Sequence, residues 1–370
     1  MMKTGKLLLI FVLLCTTIGC DDIIYLEDVE IPLVLGLDVD PNDPDQLIYY
    51  SSAPVFSKDA QKKYTVRKIT AHSLEVAKNK IGGMSTGFLV GGKLQVILIS
   101  KKLLQHKNVF PYLDVLYRSP KNETKALVAM VDGSIEEIMN ADMKDKGILG
   151  VVIHDIIQTS FDQGITVCTR LLDFFHQMID KRITPNLTEL KMEDGEITVY
   201  GTALLNKEAK YSSSLNILES TLLLILRKET ANQLPLSFSI PQDHQKNAEI
   251  NLAVNHINYD IQSDYRDHRF QFTMNMALNA DISERLFPYE IKSKQDQLER
   301  ILTSQLDQEF NQIIHKIQAK QLDPMGLGVY AQAFQYPHWQ KVKTHWGKEL
   351  SKATIKVKPH IVIRDFGITF

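Results

Sequence analysis

The stretch EINLAVNHINYDIQSDYRDHRFQFTMNMALNA, residues 249–280, alternates apolar and polar side chains on both sides of a polar centre. Ile250, Leu252 and Val254 share one face of its first half. Phe270, Phe272, Met274, Met276 and Leu278 share one face of its second. A period of two marks a strand with one buried side, so an antiparallel pair is expected here, joined through a polar loop at 261–268.

Toward the C-terminus the period changes. In Gln295–Lys320 the residues Leu298, Ile301, Leu302, Leu306, Phe310, Ile313, Ile314 and Ile317 form one stripe at helical spacing, and Asp323-Pro324 ends it. The closing segment IKVKPHIVIRDFGITF, from Ile355, alternates again: Ile355, Val357, Pro359, Ile361 and Ile363 on one side, Lys356, Lys358, His360 and Arg364 largely on the other. Pro359 has no N–H to give a neighbour, which places this strand at a sheet edge.

Toward the N-terminus, strands and helices alternate. Ile31–Val39 and Leu47–Ser51 read as a hairpin around DPNDPD, and Leu94–Ser100 as a strand buried on both faces. Within Tyr64–Lys80 a helix is expected, capped by Thr70 or Ser73. The segment from Leu103 to Pro120 reads as a helix, broken or kinked at Pro111 and ended near Ser119-Pro120. KALVAMVDG is a strand, followed by a short helix with Ser134 as cap and Glu137 in the capping-box position. Residues 166–183 put Val167, Cys168, Leu171, Leu172, Phe175, Met178 and Ile179 at helical spacing, with Cys168 as a small buried hydrophobe. A turn at Asp194-Gly195 leads to a strand from Ile197. Leu222–Leu226, flanked by Glu219 and Arg227-Lys228, is expected to be the buried face of one helix. The expected class is mixed α/β of the α+β kind, several mixed sheets with packed helices, divided into 20–195 (with room for two subdomains) and 196–370.

Composition narrows the function. With 42 basic against 44 acidic residues and no long basic block, counterion release gives no grip on a nucleic acid. There is no HExxH, CxxC, GxSxG, P-loop or strand-following GxGxxG. His338 and His345 stand seven apart without acidic or thiol partners at useful spacing, and adjacent His154-Asp155 is a poor base and orienter. No catalytic residue, metal ligand or cofactor site is assigned, so a binding or assembly role is favoured over an enzyme.

The first twenty residues point to a membrane. Lys3 and Lys6 precede an apolar run, Leu7–Leu14, too short to span a bilayer, as in an export signal. Cys20 follows Thr17-Ile18-Gly19, which resembles the bacterial lipobox, whereas Cys15 follows two leucines. Cleavage after Gly19 would remove residues 1–19 and leave Cys20 as an N-palmitoyl, S-diacylglyceryl cysteine; a plain export signal or a buried N-terminal helix is the alternative. More than one acyl chain is what stable anchoring requires.

The segment LDPMGLGVYAQAFQYPHWQKVKTHW carries Asp323, Pro324, Gly326, Gly328, Tyr330, Trp339 and Trp346. With VLGLDVD at 34–40, the Leu171–Pro185 run, VYGTALL at 199–205 and Cys20, it resembles the Ger(x)C lipoprotein family, the C subunits of spore nutrient germinant receptors. The chain departs from that pattern at Asp21-Asp22-Ile23 and at Gly92. The resemblance implies a three-domain lipoprotein on the outer face of the spore inner membrane, working with integral-membrane A and B subunits in the response that triggers germination. A membrane-tethered protein that itself binds a small ligand is the alternative. For Asp323, Pro324, Gly326, Gly328, Trp339 and Trp346 the plain reading is a helix stop, a tight turn and core aromatics; contact with a partner is the other.

Overall fold

The computed structural model describes residues 29–43, 45–56, 62–85, 87–118, 124–142, 147–229, 233–240, 249–286 and 291–365. The export segment and Cys20 lie outside the described residues. The architecture is α+β and rests on two large sheets, with a two-stranded one beside them.

The chain enters through a short strand, β1 (Val29–Glu30), which pairs with β5 (Phe88–Leu89). The expected hairpin is present as β2 (Val34–Val39) and β3 (Leu47–Pro54), paired from Val34 and Ser52 to Val39 and Leu47. Strand β4 (Tyr64–Ala71) precedes the expected helix, which is present as α1 (Leu74–Gly82). Tyr64, Thr65, Val66, Ile69 and Thr70 suit a pleated surface better than a helix. The helix is capped by Ser73, whose hydroxyl accepts from the Val76 N–H at 3.3 Å.

Next come β6 (Val96–Ser100), α2 (Lys101–His106), α3 (Phe110–Arg118), β7 (Leu127–Val131) and α4 (Ile135–Met139). All residues of β6 and β7 are buried, as expected of strands covered on both faces. The helix expected to break or kink at Pro111 is broken in two, but not at the proline. The break falls at 107–109 and Pro111 sits in the first turn of α3, where a missing N–H costs little. Helix α5 (Leu149–Asp162) was not anticipated. Helix α6 (Leu171–Ile179) is half the length expected. Before it, 166–169 run extended, tied by Thr166 Oγ1 to Gly201 O at 2.7 Å and Thr169 Oγ1 to Asn186 O at 2.8 Å. Cys168 therefore lies on an extended segment rather than on a helical face. The buried side of α6 also differs: Phe174 and Gln177 are buried, while Leu172 and Ile179 are exposed.

Strands β8 (Asn186–Glu193), β9 (Glu196–Leu205) and β10 (Tyr211–Leu215) complete an eight-stranded sheet in the order β10-β9-β8-β7-β6-β2-β3-β4. Its four central strands are parallel and its flanks antiparallel. Leu103, Leu113 and Phe174 pack on one face, and Ile138, Ile153 and Ile157 on the other.

Helix α7 (Ile217–Arg227) carries the second surprise. Ser220 through Leu226 are all buried, so it is enclosed on every side rather than along one face. Asn216 and Glu219 close its N-terminus reciprocally, each at 2.9 Å. Strands β11 (Leu234–Ser239), β12 (Glu249–Arg266), β13 (Arg269–Arg285) and β14 (Thr354–Asp365) form the second sheet in that order, with β14 at the edge and parallel to β13. The alternation at 249–280 is as expected, but the loop is not: 261–266 continue β12, and the turn is only Asp267-His268, both with left-handed φ (53° and 60°). The long helix α8 (Ile291–Ala319) lays its stripe on this sheet, and α9 (Leu327–Phe334), α10 (Tyr336–Val342) and α11 (Trp346–Leu350) follow before β14.

Candidate functional site at the joint of the two sheets

The signature residues converge where the two sheets meet. After α8 the chain turns through left-handed Gln321 and buries Leu322 and Asp323. The Asp323 side chain is fully enclosed. Its Oδ1 accepts from the N–H groups of Gly326 (2.8 Å) and Leu327 (3.0 Å), and its Oδ2 from Gly328 N–H (2.8 Å) and the Trp346 indole N–H (2.7 Å). One carboxylate thus closes the first turn of α9 and fixes the ring that begins α11. Burial pushes the Asp323 carboxyl above its usual range; the four donors, Trp346 foremost, oppose that shift.

The backbone of Asp323 reaches the other half of the molecule. Its N–H donates to Thr184 Oγ1 at 3.0 Å, and Thr184 N–H donates to its carbonyl at 2.8 Å. Pro324 O accepts from Arg227 Nη1 at 3.3 Å, at the end of α7. Gly326 sits at φ 77°, and a Cβ there would meet only the Ile183 side chain, at an ordinary 3.8 Å. Gly328 is different: a Cβ there would lie 2.5 Å from Arg182 O and 2.9 Å from the Trp346 indole nitrogen, so only hydrogen fits. Trp346 meets Phe270 edge-on at 5.1 Å, and Trp339 is buried with it. The structure therefore brings Asp323, Pro324, Gly326, Gly328 and Trp346 into one node, with Trp339 in the adjoining core.

Residues 180–185, which lead from α6 into β8, are the counterpart. Against burial, the Arg182 fork holds the Asp180 carboxyl below its usual range, and Arg182 Nη1 donates to Gln332 of α9 at 2.9 Å. Lys207, beyond β9, donates to the carbonyls of Gln177 (2.6 Å) and Ile183 (2.9 Å). Sequence reasoning missed Arg182, Thr184 and Lys207. Thr184 is 139 positions from its partner, and no local pattern marks such a pair.

Beside the node lies a cavity of about 350 Å³ whose walls include Gln158, Cys168, Arg170, His176, Arg227 and Glu229. Arg227 is paired with Glu229 at 2.6 Å, and burial pushes the Cys168 thiol up to about 11, away from nucleophilic use. His338 stacks on Tyr265 at 3.7 Å while His345 lies 3.9 Å from Glu349, so those two histidines do not converge; His154 and Asp155 do meet at 3.1 Å, half in solvent. Among the described residues no group of three potential metal ligands is assembled.

Two family models match the chain end to end. One, described as the spore germination protein N-terminal domain, matches residues 22–192, and the other, spore germination B3/GerAC like, C-terminal, matches residues 200–367. No curated protein matches. A solved structure titled "Crystal Structure of the GerBC protein" is similar over 89% of this chain and 96% of that one, with a TM-score of 0.56 and 16% identity, a likeness of fold. The joint just described lies between the two matched regions and is built from both, and the chain belongs to the GerAC-like spore germination protein family.

Proposed function

We propose that this chain is the lipid-anchored C subunit of a spore nutrient germinant receptor. It acts in assembly or signalling with integral-membrane A and B subunits on the outer face of the spore inner membrane, and it catalyses no reaction. The observation that carries the reading is the pair of family matches in order along the chain, 22–192 then 200–367. The signature residues support it by their work: they lock one half of the molecule to the other rather than converge on a reacting centre. We place the mature halves at 20–195 and 196–370, behind a cleaved segment 1–19. Among the described residues no helix is long and apolar enough to cross a membrane, so in this reading the tether is the diacylglyceryl and palmitoyl chains on Cys20.

The test is Cys20→Ala in spores. The expected result is loss of the protein from the membrane fraction and weaker nutrient germination, with the folded body still detectable; unchanged fractionation would contradict the anchor. The cavity at the joint keeps a small-ligand-binding lipoprotein as a second reading. Saturable binding of a nutrient by the purified chain alone would favour it.

A further inference from the structure

The α9–α10 corner buries its tryptophans and turns other apolar groups outward. Val329 is 43% exposed, Phe334 62% and Tyr336 50%, and Ala333 and Pro337 are exposed beside them. The core beneath is complete without them, since Leu327, Ala331, Trp339 and Trp346 fill it. The corner is also rigid: Asp323 closes the start of α9, and Gln335 Nε2 donates to Ser263 O at 3.1 Å.

The segment that follows this apolar patch carries cations. Lys341 and Lys348 are exposed and Lys343 half-buried on the turns that follow, and Arg266 and Arg269 flank the nearby β12–β13 turn, which His338 reaches by stacking on Tyr265. Two of the acids here are already paired, Asp264 with Arg266 and Glu349 with Lys352. Exposed aromatic rings next to lysines suit the headgroup layer of a bilayer, where rings sit at the polar boundary and ammonium groups meet anionic lipid.

Topology adds a second argument. The four parallel strands all begin at one edge of the large sheet, where Val34 follows the chain's entry and where 180–185 lead into β8. Gly328 packs on Arg182 at that edge, so α9 starts on the side where the described chain begins, at Val29.

We propose that the α9–α10 corner is a docking face for an anionic lipid surface, with Phe334 and Tyr336 entering the headgroup layer and Lys341, Lys343 and Lys348 meeting lipid phosphates. It rests on the tethered reading for its setting, and it adds an orientation that a flexible N-terminal tether cannot give. The patch adds to the hold of the tether; each lysine near such a surface contributes about a fivefold gain in partitioning.

The experiment places an environment-sensitive dye on Phe334→Cys, in a Cys168→Ala background, in the membrane-purified full chain. A control dye goes on Glu193→Cys in the β8–β9 turn. Vesicles of neutral phosphatidylcholine are compared with vesicles in which part of it is replaced by phosphatidylglycerol, each carrying a lipid-borne quencher. The expected result is strong quenching at position 334, not at 193, in anionic vesicles only, lost in high salt and in Lys341→Glu/Lys348→Glu. Quenching at 334 no greater than at 193, or equal in neutral and anionic vesicles, would overturn the docking face. A blue-shifted dye beyond reach of the lipid quencher would overturn it in favour of a protein partner. Failure to sediment with neutral vesicles would sink the tether alone, because the face would still give salt-sensitive binding to anionic ones.

Discussion

Asp323 spends both carboxylate oxygens on four N–H groups, and a charge enclosed in this way is costly to disturb from either side. Asp323→Ala strands those donors and is expected to lower unfolding free energy by about 3 kcal/mol in urea denaturation. The two glycines should separate by cause. Gly326→Ala meets only left-handed backbone strain, about 1 kcal/mol, whereas Gly328→Ala drives a methyl into Arg182 O and should cost about 2 kcal/mol or more. Equal effects in the same assay would contradict this geometry.

A second residue pair sets a pH dependence. The Arg67 fork, at 2.8 and 2.9 Å, and the Ser85 hydroxyl hold the Glu30 carboxyl below its usual value, against its burial. Its folded pKa is depressed, so the stability it contributes is present above the unfolded carboxylate range and is lost as pH falls through the folded value. Arg67→Met should therefore destabilise the protein at pH 7, and the difference from the parent should shrink as unfolding is repeated at successively lower pH below about 4.5. A constant difference would assign the effect to packing instead.

Among the elements, those with an undiluted period were legible. The stripe of α8, the inward faces of β12 and β13 and the edge strand β14 follow directly from spacing, and β14 shows how an edge is protected: Pro359 offers no donor, and the N–H groups of Ile361 and Ile363 are taken by Thr303 and Glu299. Other elements were hidden for physical reasons. The threonines at 166 and 169 bond to carbonyls of the large sheet, which overrides a helical spacing that continues into α6. The β12–β13 turn puts Asp267 and His268 in left-handed backbone without a glycine, so the polar stretch before it resembled a loop. The double substitution Asp267→Asn with His268→Gly should raise thermal stability by about 0.5–1 kcal/mol, since asparagine tolerates that conformation and glycine adopts it without strain. A lower melting temperature would show that the native side chains make contacts worth keeping.

At the scale of the whole molecule, the six signature positions were visible in the sequence but their task was not. Asp323 and Trp346 are 23 residues apart, whereas Thr184 and Arg182 belong to the other half of the chain and, with Lys207, acquire meaning only when the two sheets meet. The joint makes the two matched regions one mechanical unit. In the proposed receptor, a subunit built this way can pass a displacement from one half to the other. Thr184→Val keeps the shape of the joint while removing the hydroxyl that accepts from the Asp323 N–H, and it should weaken germination more than it weakens membrane retention, read by comparing both in the same spores. Equal loss of both would indicate unfolding rather than coupling.

Membership of a membrane receptor complex is the proposal that reaches furthest. Its most direct test is affinity capture of the tagged chain from solubilised spore membranes, with quantitation of what accompanies it. Near-stoichiometric recovery of integral-membrane A- and B-type subunits is the predicted result; recovery of the chain alone, under conditions that keep membrane complexes intact, would contradict it.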